Sequence, residues 1–202
     1  SLSVNYKTMP LSKLPLKSIA KQFIDNPAIN FDNFKFGNTT ITFEGRFYLG
    51  LSKMSGFYIA PYARFANFDL AVPLEYTYTP DNTVGSFVNP GGPITKTADL
   101  NGTIKSNSYG VYIGIQKQLL TKLVIDIWFI GGHYGNSNGN LSFVAPEKLP
   151  SQAVDALKKT LDDTKMNPFE LKSKVDQNGA TADMKGPWAG FRGLGISLGL
   201  RF

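Results

Sequence analysis

The chain has 202 residues, 13% of them aromatic and 18% charged, with 20 glycines, no cysteine and a formal net charge of +6. This length suits one domain with its own core rather than two, and the lack of cysteine excludes a disulfide framework and a thiolate metal site. Scattered basic residues without a Lys/Arg-rich run argue against nucleic acid, and no stretch approaches the roughly 20 apolar residues of a membrane helix.

Along the chain the hydrophobic period is two, the signature of half-buried strands. SLSVNYK sets Leu2, Val4 and Tyr6 against Ser3, Asn5 and Lys7. NTTITFEGRFYLG sets Ile41, Phe43, Phe47 and Leu49 against Thr40, Thr42, Glu44, Arg46 and Tyr48. GFYIAPYARF sets Phe57, Ile59, Pro61, Ala63 and Phe65 against Tyr58, Ala60, Tyr62 and Arg64; Pro61, which lacks an N–H, weakens pairing there. From Tyr109 the set Tyr109, Val111, Ile113 and Ile115 opposes Gly110, Tyr112, Gly114 and Gln116. From Leu123 the set Leu123, Ile125, Ile127 and Phe129 opposes Val124, Asp126, Trp128 and Ile130. The closing GLGISLGLRF sets Leu194, Ile196, Leu198, Leu200 and Phe202 against glycines, Ser197 and Arg201.

Short connections (GLSKMSG and KQLLTK) alternate with long ones, from about Pro10 to Gly37, Pro73 to Lys105 and Tyr134 to Trp188. In an antiparallel meander this gathers the short turns at one end and the long loops at the other. Helical spacing predicts short helices in two long loops: LPLKSIAKQFI, and SQAVDALKKTLDD with Ser151 as N-cap. The region from Glu147 to Lys185 is balanced in charge and reads as a solvated cap.

Alternation alone fits a soluble barrel or a membrane one. The polar face carries charges of both signs near mid-strand, which must pair where water is scarce. Tyr6, Phe47, Phe57, Tyr109, Phe129, Trp188 and Phe202 lie near strand ends, where interfacial girdles belong. The expected fold is therefore all-β: a single domain over 1–202 forming an antiparallel up-and-down transmembrane β-barrel, with short helices in its extracellular loops. Glu44, Arg46, Tyr58, Tyr62, Arg64, Tyr112, Asp126 and Trp128 form the predicted polar network of a lumen plugged by its own side chains.

The one histidine, His133, falls by parity on the oily face with Phe129 and away from Asp126; Ser137 and Ser142 lie near it in sequence. A serine–histidine hydrolase would need them together, and the expectation is no catalytic site. GLGISLG lacks the ending of a phosphate loop, and GNSNGN and Asp162–Asp163 lack calcium-loop spacing, so no metal or cofactor is expected.

The terminal LGISLGLRF is similar to the C-terminal signal of bacterial outer-membrane proteins, which would make Leu198, Leu200 and Phe202 the residues read by the barrel-assembly machinery. EGRFYLG, GFYIAPYARFANFD, DIWFIGGHYGNSNGNLS and GPWAGFRGLGISLGLRF, in that order, resemble a family of small outer-membrane β-barrels of unknown function common in Bacteroidota. The resemblance implies eight strands, with a hairpin and a signal peptide ahead of the first segment here, and it brings no activity. The expected role is a structural or accessory subunit of the outer membrane, in contact with lipid and lipopolysaccharide and with a larger protein complex. The alternative is a small enzyme or carrier acting on envelope lipids.

Overall fold

The computed structural model describes residues 1–13, 26–50, 55–84, 87–90, 92–120 and 122–200, with the side chains of 82–90 and of Leu200 left aside. The expected helix LPLKSIAKQFI lies wholly outside these residues, as do Arg201 and Phe202. No helix is long and apolar enough to cross a membrane among the described residues.

Among the described residues the chain is all-β apart from one short helix. In order come β1 (Leu2–Lys13), β2 (Lys35–Gly45), β3 (Phe47–Tyr48), β4 (Gly56–Tyr78), β5 (Asp81–Val84), β6 (Phe87–Pro90), β7 (Ile94–Gln118), β8 (Leu123–Val144), α1 (Ser151–Asp162), β9 (Glu170–Asp176), β10 (Gly179–Arg192) and β11 (Gly195–Leu200). The main sheet runs β1-β2-β4-β7-β8-β10-β9, each pair antiparallel; β3 continues β2 along β4, and β11 continues β10 along β8. The result is a six-stranded up-and-down meander with β9 added at one end. Among the described residues, the outer edges of β1 and of β11 have no strand partner.

Pro61 marks the one break between β2 and β3. Arg46 exchanges backbone bonds with Ser1, so by alternation the groups of Gly45 face β4, opposite Pro61, where no N–H is present to donate. The register is the same on both sides, Glu44 opposite Tyr62 and Phe47 opposite Ile59.

The long connections are corrected by the structure. Most of 73–105 is strand, because β4 runs for 23 residues and β7 for 25, with only a tip carrying β5 and β6. The segment 134–188 likewise holds the end of β8, α1, β9 and most of β10. Ser151 is the first residue of α1 rather than its cap: the N-cap is Pro150, and Ser151 Oγ bonds Gln152 instead. The helix forms because Ala153, Leu157 and Leu161 recur at four-residue spacing and bury one stripe. The turn into β10 uses an Asx bond from Asn178 N–H to Asp176, and Gly179 takes φ +147°, where a Cβ would meet the Phe143 carbonyl.

The strands exchange their polarity partway along. Below Phe65, toward the short turns, β4 turns Phe57, Ile59 and Phe65 outward and Tyr58 and Tyr62 inward. Above it, Phe68, Leu70, Leu74, Tyr76 and Tyr78 point inward, whereas Asn67, Asp69 and Glu75 alternate with them. The upper interior is an apolar core shared by β4, β7, β10, α1 and the segment Ile29–Phe34. Asn26, just ahead of that segment, donates to the Thr160 carbonyl in α1 and to Thr164 Oγ1 just beyond the helix.

Candidate functional site: the inward polar layer

The lower interior is built in rows, one residue per strand, because antiparallel register places side chains of the same face side by side. One row holds Arg46, Ala60, Tyr112, Gly131 and Arg192; the next up holds Glu44, Tyr62, Gly110, His133 and Gly190. A row below holds Tyr48, Tyr58, Gly114, Trp128 and Gly195. Large rings alternate with glycine: a Cβ on Gly110 would meet the Tyr62 ring and His133, one on Gly195 the Trp128 indole, one on Gly114 the Tyr58 hydroxyl.

Charge is concentrated at the centre. Arg46 binds Glu44 Oε1 at 2.9 Å and Asp126 Oδ2 at 2.8 Å, and donates to Gln116 Oε1 at 3.0 Å. Tyr58 donates to Asp126 Oδ1 at 2.7 Å and Tyr48 to Gln116 Oε1 at 2.6 Å. The Arg46 guanidinium also lies 5.0 Å from the Tyr58 ring centre. Two buried carboxylates thus share one arginine, with hydroxyl and amide groups filling further bonding positions, the arrangement that a buried ion cluster requires. Tyr58 and Tyr112 are each 1% exposed, so this end of the interior is filled by its own side chains.

Arg192 completes the layer and was invisible to the alternation of the last strand. Its Nη1 reaches within 3.5 Å of Glu44 Oε2, and its guanidinium stacks 4.3 Å from the Tyr112 centroid and 5.0 Å from that of Trp128. Because β4, β7 and β8 stand between β2 and β10, a flat sheet would separate these residues by about 19 Å. The contact therefore requires a strongly curled sheet whose polar layer sits on the concave side.

Seven of the eight residues expected in the network meet here: Glu44, Arg46, Tyr58 and Asp126 through direct bonds, Tyr112 and Trp128 through Arg192, and Tyr62 by ring contact with Tyr112. Arg64 faces the same interior one row higher, and among the described residues it has no carboxylate within ion-pair distance. Of the three terminal residues singled out in the sequence, Leu198 is exposed on the outer face, Leu200 pairs with Leu123, and Phe202 lies outside the described residues.

Two expectations are corrected. His133 faces inward, accepting or donating a bond with the Tyr62 hydroxyl at 3.1 Å, because β8 carries an extra residue opposite the Ile113/Gly114 step and its parity changes there. Trp188 also points inward, its ring 4.8 Å from Phe68, and is not part of an outer girdle. His133 still has no nucleophile among the serines near it in sequence: Ser137 donates to the Gly186 carbonyl and Ser142 to the Asn101 carbonyl. No group of three or more His, Asp or Glu side chains is placed to hold a metal among the described residues.

On the outer face, Leu2, Val4, Tyr6, Phe43, Phe47, Phe57, Tyr109, Ile113, Tyr134 and Leu198 form a continuous apolar surface across the lower part of the sheet. No protein-family model, curated protein or solved structure matches the chain.

Proposed function

We propose that the chain is an integral outer-membrane β-barrel protein with a plugged lumen, serving as a non-enzymatic structural or accessory subunit. The observation that carries this reading is the inversion itself: the lower strands turn apolar side chains outward and an ion cluster inward, the arrangement of a transmembrane barrel wall. Along β8 the outer apolar surface runs from Leu123 to Tyr134, which at about 3.3 Å per residue and a tilt of 35–45° rises roughly 25–30 Å. That matches the apolar band of such barrels, about 25 Å. Two further strands joining β1 to β11 would complete an eight-stranded barrel, in keeping with the resemblance to the Bacteroidota family.

In this reading the apolar band meets outer-membrane lipid, the capped upper end stands in the space beyond the lipopolysaccharide headgroups, and the barrel-assembly machinery reads the last strand. The non-enzymatic role is part of this proposal; the bonds of Ser137 to the Gly186 carbonyl and of Ser142 to the Asn101 carbonyl are in keeping with it. The test is fractionation and heat-modifiable migration of the protein from its native membrane, followed by gentle solubilisation. Recovery with a larger membrane protein in fixed stoichiometry supports an accessory subunit; extraction by carbonate without detergent overturns the membrane reading, and steady conductance in planar bilayers overturns the plug.

A further inference from the structure

Above the ion cluster the interior holds polar groups that the described residues leave unsatisfied. Register places Arg64, Ser108, Gly135 and Trp188 in one row, with Ala66, Ser106, Ser137 and Gly186 in the row above. Arg64 Nε, Ser106 Oγ, Ser108 Oγ and Trp188 Nε1 are all buried without a hydrogen-bond partner, and both serines are only 1% exposed. Each such group, left unbonded, pays the desolvation cost of a buried polar atom.

Donors predominate among these groups, and His133 Nε2 in the row below is buried and unpartnered as well. The guanidinium and indole N–H groups only donate, while the two serine hydroxyls donate or accept. A water molecule brings two protons that need acceptors, whereas an anion takes donors from every side. The charge balance points the same way: Arg46, Arg64 and Arg192 face inward against Glu44 and Asp126, and Arg64 is the arginine with no carboxylate at ion-pair distance among the described residues. The Phe68–Trp188 ring contact lies toward the apolar core above, and the Tyr62–His133 pair occupies the row below. A site bounded in this way suits a small bare ion better than an organic acid.

We infer that the interior binds a small inorganic anion of the halide class, with Arg64 as its charge partner and the Ser106 and Ser108 hydroxyls and the Trp188 indole N–H as further donors. The ion is a resident part of the plug: it neutralises the surplus arginine and satisfies the donors between the ion cluster and the apolar core. The site depends on the inner face alone and stands apart from what the outer face contacts.

The test uses the folded protein in detergent micelles at fixed ionic strength, with chloride exchanged for gluconate. Saturating chloride raises the unfolding temperature by roughly 5 °C, and bromide substitutes for it. Crystals soaked in bromide show an anomalous peak beside Arg64 Nε. Ser108→Ala, a small change that keeps the fold, weakens the apparent chloride affinity roughly 10-fold; Arg64→Lys keeps the charge, loses the Nε donor and weakens it as well. Equal unfolding temperatures in chloride and gluconate, or bromide-soaked crystals with only ordered water at Arg64, would overturn the proposal.

Discussion

The lower and upper parts of the sheet are made from the same strands and the same two-residue alternation, yet they solve opposite problems. Below Phe65 and Tyr109 the interior holds Arg46, Glu44 and Asp126 and the exterior holds Phe57, Ile59 and Ile113; above them the interior holds Phe68, Leu74 and Leu100 and the exterior is polar. Alternation fixes that a strand has two faces, and the surroundings fix which face is oily. The upper part is organised like a soluble domain, with α1 closing its core. The lower part is inside out, the arrangement that the membrane reading proposed above would account for.

Substitutions that ignore this boundary give the largest effects. Leu100→Lys puts an unpaired charge into the upper core and is expected to cost more than about 4 kcal/mol, read as loss of the folded form in urea titrations from lipid vesicles. In the lower interior, Arg46→Met strands two buried carboxylates and costs about 3–5 kcal/mol; adding Glu44→Gln and Asp126→Asn restores much of it, so a triple variant no more stable than the single one would argue against a coupled cluster. Ile113→Lys, on the lower outer face, costs about 2–4 kcal/mol in a bilayer. Gly110→Ala forces a methyl group against the Gly132 carbonyl, His133 and the Tyr62 ring and costs about 1–3 kcal/mol. The smallest effect belongs to Thr97→Lys on the upper outer face, within about 0.5 kcal/mol. If Thr97→Lys and Ile113→Lys were tolerated equally in vesicles, the distinction between the two outer faces would fail.

Much of this was readable from alternation. The six strand centres, their antiparallel order and the inward set from Glu44 to Trp128 need only parity and short turns. The inversion was present too, in the change from Phe65 on one face to Phe68, Leu70 and Leu74 on the other, but a change of phase resembles the end of a strand. Hence β4 and β7 looked half their length. His133 was misplaced for a related reason: Trp128, Phe129 and Ile130 are all large and apolar, so nothing in their sequence marks the extra residue where β8 shifts register. Arg192 was hidden because it precedes the Gly193–Leu194 interval, where the pairing of β10 gives way to that of β11. The ion cluster depends on curvature, which brings Arg192 to Glu44 across three intervening strands, and no local pattern encodes a distance of that kind.

The glycines opposite the interior rings have a consequence for how the wall can change over time. Tyr62 with Gly110, Trp128 with Gly195 and Tyr112 with Gly131 each join a large and a minimal residue on neighbouring strands. Volume in such a pair is held in common, so a side chain gained on one strand must be given up on the next. Homologous chains would then exchange size between paired positions while conserving neither residue alone, and the pairing of strands could be recovered from that exchange.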